Sequence, residues 1–519
     1  MRQAGIRTQA NVICRSFSEF CQMVSMEFST ATAVLLAACL FCLLLFFKGN
    51  RQGKKGYLPP GPRPLPFVGN LPHLDAKNMM KSLLTLSKKY GSVYTIYLGS
   101  QPSVVLCGYQ AVKEALVDHS EEFSGRGDLP VLFRFTQGNG IAFSNGEKWK
   151  VLRRFTLQTL RSFGMGKRSI EERIREEAQC LVKELAMTKG EPFDPTYIIG
   201  LAFSNVICSI IFGDRFDYED EKFLTLIGLI NDNFQLLSSP CAQMYNIFPR
   251  IMYFLPGPHN QIFINFEKLR AFILEIVKTH QATLDPNCPR DFIDSFLIKM
   301  QQDKEDPLSH FHIDTLVMTT HNLFFGGTET VSTTLRYGIL ILMKYPEVAA
   351  KVQEEINRVI GPDRSPLTED RGQMPYTDAV IHEIQRFIDI IPTGIPHAVT
   401  KDTHFRGYVF PKGTNIMPFL YSVHKDATQF KNPEVFDPTH FLDEKGGFRL
   451  HDAFMPFSAG KRLCLGEALA RMELFVFLTT LLQRFAFQPT CPEEELDLSP
   501  LLSGLGNVPR PYTCRATPR

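Results

Sequence analysis

One cysteine of this chain stands in a setting that favours metal binding. Cys464 lies within residues 457–466 (FSAGKRLCLG), just before a predicted apolar helix. Amide groups at a helix N-terminus point toward a sulfur placed there, and the helix dipole favours an anion. Arg462 adds positive charge, so both effects favour the thiolate, which is the form of cysteine that binds metal. Gly460 and Gly466 allow the backbone to bend close to a flat ligand. This set suits a haem with anionic propionates better than a zinc site.

Two further pairs of residues have helical spacing. Glu383 and Arg386 are three residues apart, so on a helix they share a face. Trp149, the only tryptophan of the chain, and Arg153 are one helical turn apart. An indole N–H and a guanidinium are both donors, as a propionate requires. A solvated surface ion pair and a core tryptophan would show the same two spacings.

A fourth motif, FGGTET at residues 325–330, lies within a predicted helix at 313–343. Two glycines inside a helix cost about 1 kcal/mol each relative to alanine, so we expect a packing reason or a local kink. The absent side chain at Gly326 leaves room for a small molecule beside the acid and the alcohol of Glu329 and Thr330. In the absence of a cofactor, Thr330 would simply donate back to its own helix.

Composition excludes several classes of protein. The chain has 519 residues, 44% hydrophobic and 21% charged, which is typical of a globular protein with a large core. A formal net charge of +2 argues against a general nucleic-acid-binding protein. Twelve cysteines are scattered with no C-x-x-C pair in a polar context, so zinc ribbons and a disulfide framework are poor interpretations. Most of these cysteines are expected to be buried and reduced.

The N-terminal region predicts a membrane anchor. Residues 28–47 carry no charge, and about 20 apolar residues span a bilayer core. Four basic residues follow within 48–55, so the bulk of the chain should be cytoplasmic. A cleaved secretory signal is the alternative, although no A-x-A-like site follows. Residues 1–25 carry three arginines against one glutamate, and both a mitochondrial presequence and an alternative start at Met26 remain open.

The rest of the chain predicts one mainly α-helical domain with a small β portion. The dense prolines of 59–66 predict a stiff connector. Residues 94–98 and 103–107 have the β-branched and aromatic character of two strands around a turn at 99–102. The predicted domain boundaries are an extension of uncertain status at 1–27, an anchor helix at 28–47, a basic flank and proline-rich hinge at 48–66, and a catalytic domain at 67–519. Helices are predicted at 313–343, 346–360, 377–390 and 466–485.

Residues 457–466 resemble the haem-binding signature of the cytochrome P-450 superfamily, F-x-x-G-x-R-x-C-x-G. The segments FSGRG at 123–127, GGTET at 326–330 and PHAVTKDT at 396–403 are most similar to the microsomal family-2 members. The resemblance covers the chain from residue 59 onward. It implies the P-450 fold, with a single large haem domain behind an N-terminal transmembrane helix. The residues at the fixed positions of the signature are Phe457, Gly460, Arg462, Cys464 and Gly466.

The resemblance also implies a role for each motif. Cys464 would be the axial ligand of haem b, and Thr330 and Glu329 would form a proton relay, with Gly326 providing space for oxygen. Glu383 and Arg386 would form a buried ion pair behind the haem, and its third partner would be His440, where many members carry arginine. The remaining residues of the implied haem cradle are Arg126, Trp149, Arg153 and His397.

The implied activity is NADPH- and O2-dependent monooxygenation, by hydroxylation or epoxidation, of lipophilic small molecules such as xenobiotics and fatty acids. A thiolate ligand donates electron density that favours O–O cleavage. The chain has no G-x-G-x-x-G nucleotide fingerprint after a strand, so electrons must come from outside. The resemblance implies NADPH–cytochrome P-450 reductase in the endoplasmic reticulum membrane and allows cytochrome b5 as a second partner. A basic contact surface is predicted at Lys150, Arg154, Arg161 and Lys461.

The resemblance implies an apolar substrate pocket, which favours neutral lipophilic substrates. Two other functions remain open. A haem-thiolate isomerase or dehydratase would take no electrons, and the Glu329–Thr330 pair argues against it. A non-catalytic haem protein would not need the pocket. The residues carried over to this pocket are Leu129, Ala142, Phe143, Phe234, Leu237, Phe325, Ile391, Ile395 and Leu505.

Overall fold

The computed structural model describes residue 34 and residues 58–75, 78–165 and 168–519. The predicted anchor at 28–47 lies outside these residues except at position 34, as do the extension at 1–27 and most of the basic flank. Among the residues described, no helix combines the length and apolar character needed to cross a bilayer.

Helices make up most of the described chain, and many begin at a proline, which fits the first turn of a helix because its missing N–H is not needed there. The α-helices are α1 Met79–Tyr90, α2 Tyr109–Lys113, α3 Pro130–Thr136, α4 Gly146–Ser162, α5 Arg168–Met187, α6 Pro195–Ile211, α7 Glu221–Ser238, α8 Pro240–Ile247, α9 Pro249–Met252, α10 His259–Thr283, α11 Phe292–Gln302, α12 Ile313–Lys344, α13 Pro346–Val359, α14 Pro375–Ile388, α15 Tyr421–His424 and α16 Glu467–Arg484.

The strands are few and short. β1, β2, β7, β4 and β3 form one sheet in that order, in which β2 and β7 are parallel and the other neighbours antiparallel. Three two-stranded pairs, β5–β6, β8–β11 and β9–β10, complete the β portion of the described residues. The strands are β1 Val93–Leu98, β2 Gln101–Cys107, β3 Gly125–Arg126, β4 His397–Ala398, β5 Thr403–Phe405, β6 Tyr408–Phe410, β7 Asn415–Phe419, β8 Phe485–Pro489, β9 Pro500–Ser503, β10 Asn507–Pro509 and β11 Cys514–Pro518.

Helix α12 runs through the centre of the largest hydrophobic core and is buried along most of its length. It packs against α6, α14 and α16. Gly327 explains how closely α12 and α6 approach, because a Cβ at this position would lie 2.5 Å from Cγ1 and Cδ1 of Ile207. One turn earlier in α6, Phe203 packs against Phe477 of α16 with ring centroids 4.5 Å apart. The expected packing reason for one of the two mid-helix glycines is therefore present.

The mainly α-helical class is confirmed, and the predicted helices differ from the observed ones by two residues or fewer at each end. The predicted turn at 99–102 is too long, since Leu98 pairs with Gln101 and only two residues connect β1 and β2. Pro102 lies inside β2 because the neighbouring β7 pairs only from Ser103 onward, so the missing N–H of Pro102 is not needed there.

The described part of the proline-rich connector is packed against the body. Thr95 of β1 donates through its amide to the Pro60 carbonyl at 3.0 Å and through Oγ1 to the Pro59 carbonyl at 2.8 Å. A Cβ at Gly61 would lie 1.8 Å from the Thr95 carbonyl oxygen, so only glycine permits this approach. The direction in which the chain leaves the body toward residue 58 is therefore set by contacts with β1.

A buried histidine links α10 to the start of α11. His280 Nε2 lies 2.6 Å from Asp291 Oδ2, and its Nδ1 lies 2.9 Å from the Ile276 carbonyl oxygen. Asp291 also caps α11 by accepting from the Asp294 amide, and Asp294 is in turn paired with Arg290. Burial lowers the pKa of His280, but the hydrogen bond and charge of Asp291 outweigh burial, and the pKa is raised.

The stabilising effect of the His280 charge is expected to disappear as pH rises. Because the pKa is higher in the folded than in the unfolded state, the contribution is complete below the unfolded value of about 6.5 and is lost as pH passes through the folded value. The difference in free energy of unfolding between the parent chain and His280→Gln, measured with urea, should be larger at about pH 6 than at about pH 8.5. A difference that is constant or grows with pH would contradict this assignment.

Candidate active site

The loop before α16 presents the thiol of Cys464. The Cys464 amide donates to the Phe457 carbonyl at 3.0 Å, and a single 3-10 turn, Gly460–Arg462, shapes the loop between them. The Cys464 side chain is exposed, and the amides of Gly466 and Glu467 hydrogen-bond to it. The protein that surrounds this thiol raises its pKa by desolvation, and the two amides and Arg153 oppose that rise only in part. The predicted lowering of the pKa by the helix N-terminal amides is present, but desolvation is the larger effect, and the arginine that opposes it is Arg153, where the sequence predicted Arg462.

Gly460 is needed for chain packing. It has φ +71°, and a Cβ there would lie 1.6 Å from the carbonyl oxygen of Leu116, in a short π-helical turn, Glu114–Asp118. Gly466 has an ordinary φ of −88° and is the residue before the first turn of α16. A Cβ at Gly466 would lie 3.9 Å from the Cys464 sulfur, so its absence keeps space beside the thiol.

Replacing Gly460 with alanine is expected to destabilise the protein strongly. Left-handed backbone costs an alanine about 1–2 kcal/mol, and the overlap with Leu116 adds to this cost because a backbone carbonyl is the obstacle. Gly446 is the matched control, since it has φ +80° and a Cβ added there would meet nothing within 4 Å. Urea unfolding should show a clearly larger loss for Gly460→Ala than for Gly446→Ala. Equal losses of the free energy of unfolding would mean that backbone conformation alone explains why glycine is required at position 460.

Three arginines and a histidine converge above this loop. Arg126 of β3 stands opposite His397 of β4, and the Arg126 Nε donates to the Ala142 carbonyl at 3.0 Å. Arg462 donates to the carbonyls of Ser124 and Ser144 at 2.7 and 2.8 Å. None of Arg126, Arg153 and Arg462 forms an ion pair with a carboxylate of the described residues.

The charges in this cluster repel one another. Burial and the neighbouring guanidinium groups lower the pKa of Arg462 to about 8, and burial and Arg153 lower that of Arg126 to about 9. Burial first, and then the charge of Arg126, lower the pKa of His397 to about 3. An anion among these groups would relieve the repulsion, because it attracts each of them.

Two buried donors in the cluster have no hydrogen-bond partner among the described residues, Trp149 Nε1 and Arg462 Nη1. The Arg462 guanidinium stacks on the Trp149 ring at 3.8 Å, and Arg153 lies 5.9 Å from the same ring and donates to the Leu463 carbonyl. Unpaired buried donors are costly and point to a missing acceptor. Together with the cationic cluster and the adjacent thiol, these unpaired donors fit a haem. Its propionates would accept from the donors, and its iron would bind the sulfur.

Glu383 and Arg386 of α14 form a fully buried, bidentate ion pair with two N–O distances of 2.7 Å. His440, in the 3-10 turn Pro438–Phe441, lies 3.2 Å from Glu383 Oε2 and 2.6 Å from the Lys431 carbonyl. Burial lowers the pKa of His440, but the contacts with Glu383 outweigh this and raise it. Both ring nitrogens of His440 face acceptors, which favours the protonated ring beside the Glu383 carboxylate.

The two glycines of FGGTET have different surroundings. A Cβ at Gly326 would meet nothing within 4 Å, in contrast to Gly327. Thr330 lies one turn further along the same face and donates through Oγ1 to the Gly326 carbonyl at 2.7 Å. Glu329 instead points toward α7, where Asn231 Nδ2 lies 3.4 Å from Oε2. Burial raises the pKa of Glu329 to about 7. The acid and the alcohol are thus adjacent in sequence but have no direct contact.

Comparison with known proteins agrees with this arrangement. A family model described as Cytochrome P450 matches residues 59–515. The chain belongs to the cytochrome P450 family. Cytochrome P450 2F3 of Capra hircus is 61% identical over 485 residues, covering 93% of this chain and 98% of that protein. Cytochrome P450 2F1 of Homo sapiens is 60% identical, with 95% and 99% covered, and cytochrome P450 2G1 of Rattus norvegicus is 55% identical, with 94% and 99% covered.

Family membership confirms the expected fold and chemical class. This P450 is a haem-thiolate monooxygenase that uses haem b and takes electrons from an external redox partner. The resemblance to the family-2 enzymes, first seen in short motifs, extends over almost the whole chain.

The predicted substrate residues of this P450 fall into two groups. In the first group, the rings of Phe234 and Phe325 meet edge to face with centroids 6.2 Å apart. Leu129 and Phe143 of the same group line part of a cleft of about 250 Å³ beside Arg126. Outside this group, the carbonyls of Ala142 and Ile395 accept from Arg126 at 3.0 and 3.5 Å, and Ile391 accepts from the Gly394 amide. Five of the predicted residues lie in one apolar cluster among α3, α7, α8, α10 and α12: Leu129, Phe143, Leu237, Phe325 and Leu505.

Two polar residues of α12 beside this cluster were missed by the sequence analysis. Asn322 Oδ1 accepts from the amides of Ile141 and Ala142, each at 3.1 Å, and so holds that loop against α12. His321 is buried, stacks on Phe325 with centroids 5.9 Å apart, and has no partner for either ring nitrogen among the described residues. Burial lowers its pKa to about 4, so it is neutral. The sequence feature that could have indicated His321 is its position one helical turn before Phe325, as a polar residue on an otherwise apolar helix face.

Proposed function

We propose that this P450 oxidises neutral, lipophilic small molecules in the endoplasmic reticulum membrane, with electrons from NADPH delivered by NADPH–cytochrome P-450 reductase and with cytochrome b5 as a further partner. The observation that carries the substrate class is the apolar cluster around Phe325, beside the open face of α12 at Gly326. Xenobiotics, fatty acids and other lipids are the candidate substrates.

In this proposal Cys464 is the iron ligand, and the thiolate-bound haem supplies O2 activation and insertion of one oxygen atom into the substrate. Arg126, Trp149, Arg153 and His397 hold the propionates together with Arg462. The support for this is the cluster of cations and unpaired donors described above. Such a cradle would hold the propionates of a haem beside the thiol, because each donor has a set direction.

Thr330 and Glu329 are the proposed carriers of protons toward the open face of α12. Thr330 donates its own hydrogen to the Gly326 carbonyl, so its oxygen lone pairs face the open side as acceptors. Glu329 is buried, and its pKa of about 7 lets it both hold and release a proton near neutral pH. Because the two side chains do not touch, the transfer between them requires a bridging water or a change of rotamer at Glu329.

His321 is the proposed polar contact of the substrate. A neutral imidazole offers one donor and one acceptor, and both are buried here without a partner. A substrate hydroxyl or carbonyl near Phe325 would satisfy one of them. The pocket then selects apolar molecules that carry one hydrogen-bonding group, which refines the purely apolar pocket expected from the sequence.

The test of this function is a reconstitution of the full chain with reductase in phospholipid vesicles. NADPH oxidation, O2 uptake and product formation from a panel of lipophilic compounds are measured together. We expect all three to depend on substrate, and Thr330→Ala to lower product formed per O2 consumed. Product formation from a peroxide without NADPH or O2 uptake would instead support the isomerase or dehydratase alternative.

The proposed reductase contact is the outer face of α4. Lys150, Arg154 and Arg161 have spacings that place them on one side of this helix, and Arg154 and Arg161 are exposed. Lys150 is paired with Glu147 and Lys461 with Glu121, at 2.8 Å each, so two of the four predicted basic residues already have acidic neighbours. The unpaired charges of Arg154 and Arg161 are therefore the better candidates for attracting an acidic flavoprotein.

Charge reversal at these two positions is expected to slow reductase-driven turnover. Arg154→Glu with Arg161→Glu should weaken it by about tenfold or more at low salt, since steering by charge controls association. Turnover driven by peroxide should be unchanged because it needs no reductase. Lys278→Glu, an exposed residue of α10, is the control. Equal loss in the two assays would mean that the variant damages the haem site.

The membrane location rests on the predicted anchor at 28–47, with the catalytic domain on the cytoplasmic side. A microsomal location is typical of the family-2 relatives and supports this proposal. Deletion of residues 1–47 should release the chain from microsomes into a high-salt wash to a larger extent than deletion of residues 1–25.

A further inference from the structure

A cysteine and a histidine form a close pair away from the haem site. Cys241 lies in the first turn of α8, after the cap residue Ser239, and its sulfur is 3.4 Å from Nδ1 of His259, the first residue of α10. His259 is 1% exposed, whereas Cys241 is partly exposed. The pair joins the starts of two helices that are separated by the short α9 and an exposed loop.

The contacts of His259 fix the tautomer that suits a base. Its Nε2 lies 2.9 Å from the Met252 carbonyl oxygen, which can only accept, so Nε2 carries the hydrogen. Nδ1 of the neutral ring is then an acceptor directed at the Cys241 thiol. A thiol beside a histidine whose other nitrogen is held by a third group is the arrangement that activates a cysteine nucleophile. The N-terminal turn of α8 also favours negative charge on the sulfur.

Gly257 leaves this pair open. A Cβ at this position would lie 3.0 Å from His259 Nδ1 and 3.7 Å from the Cys241 sulfur, so any larger residue would crowd the space beside the thiol. Gly257 has no unusual φ that would by itself require glycine. The adjoining segment is apolar and exposed, with Ile251 at 61%, Phe254 at 81% and Leu255 at 47%. An apolar molecule approaching the thiol would meet these side chains first.

We propose that Cys241 is a nucleophilic modification site, activated by His259, that forms thioethers with apolar α,β-unsaturated carbonyl compounds. The thiol proton passes to His259 Nδ1 as the sulfur bonds to the β-carbon of the alkene. The π electrons of the C=C bond move to form an enolate, which takes the proton back from the imidazolium. One S–C bond and one C–H bond form, one S–H bond and one π bond break, and no oxidant or reductant is needed.

Other described cysteines provide the contrast. Burial raises the pKa of Cys180, Cys208 and Cys514 and so suppresses their reactivity. Cys288 is exposed, and no histidine contact of its thiol is present in the described structure. Cys288 is therefore an internal control for exposure without a base.

The experiment treats the haem-loaded full chain at neutral pH with a limiting amount of trans-2-nonenal, then with borohydride, and follows each cysteine by peptide mass spectrometry. We expect Cys241 to be modified about tenfold or more faster than Cys288, as general-base assistance requires. The polar electrophile acrylamide should show a smaller preference for Cys241, because it gains nothing from the apolar segment.

Two variants test whether His259 and the open space at Gly257 cause the faster reaction of Cys241. His259→Gln should reduce the rate at Cys241 to that of Cys288 or below, since glutamine can donate to Met252 but cannot take a proton. Gly257→Ala should slow modification by crowding Nδ1 of His259 and the space beside the thiol, and it keeps the imidazole in the chain, so the test stays valid if His259→Gln fails to fold. Cys241 reacting no faster than Cys288, or reacting at an unchanged rate in both variants, would overturn the proposal.

Discussion

Cys464→Ser is expected to lose the reduced carbon monoxide difference band that reports thiolate ligation, and with it all reductase-driven monooxygenation. The hydroxyl group of serine ionises far less readily than a thiol and is a poor ligand for this iron. The surrounding donors do not depend on the sulfur, because Arg462 is held by the carbonyls of Ser124 and Ser144. We therefore expect the variant to fold and to bind haem weakly, without the thiolate spectrum.

The control for this prediction is Cys288→Ser, which removes an exposed thiol and should leave the spectrum and the turnover unchanged. The measurements are the carbon monoxide difference spectrum, haem content per chain and circular dichroism. A Cys464→Ser protein that retains the thiolate spectrum would show that another side chain binds the iron, and the proposed site would then be wrong.

Arg386→Leu is expected to cost about 3–5 kcal/mol of the free energy of unfolding, the usual cost of breaking a buried ion pair by removing one partner. Both side chains of the Arg386–Glu383 pair are fully buried, so the remaining carboxylate has no access to water. Arg386 also donates to the carbonyls of His424 and Pro433 at 2.8 Å each, and both acceptors would lose this partner. His440 would still face Glu383 and would offset only part of the loss.

Urea unfolding of the variant, compared with Lys222→Ala, measures this difference. Lys222 pairs with Glu275 at 3.0 Å, but the two side chains are 70% and 66% exposed, so its loss should cost far less than the loss of Arg386. The double variant Glu383→Gln, Arg386→Leu should recover part of the stability lost in Arg386→Leu, because it removes the unpaired charge. A single variant no less stable than Lys222→Ala would rule out the role assigned to the pair.

Local spacing was sufficient for much of the site. Three features of the site depend only on neighbours in sequence: the position of Cys464 just before a helix, the i,i+3 spacing of Glu383 and Arg386, and the uninterrupted helix around Gly326. Helix geometry decides which of these residues share a face. The class of reaction followed from these short patterns because the family signature is specific. The boundaries of the long helices could be predicted because prolines and glycines mark them.

Contacts between distant segments decided the rest. The sequence marked Gly460 as a bend, but only the tertiary structure shows that the carbonyl of Leu116 excludes a side chain there. The same holds for the thiol of Cys464, whose pKa is raised because desolvation outweighs the helix N-terminus, and for His321 and the Cys241–His259 pair. Desolvation and pairing depend on which segments pack around a group, and spacing along the chain does not specify them. The sequence by itself therefore determined the family and predicted Cys464 as the ligand, whereas the tertiary structure determined which polar groups are paired and which are buried without a partner.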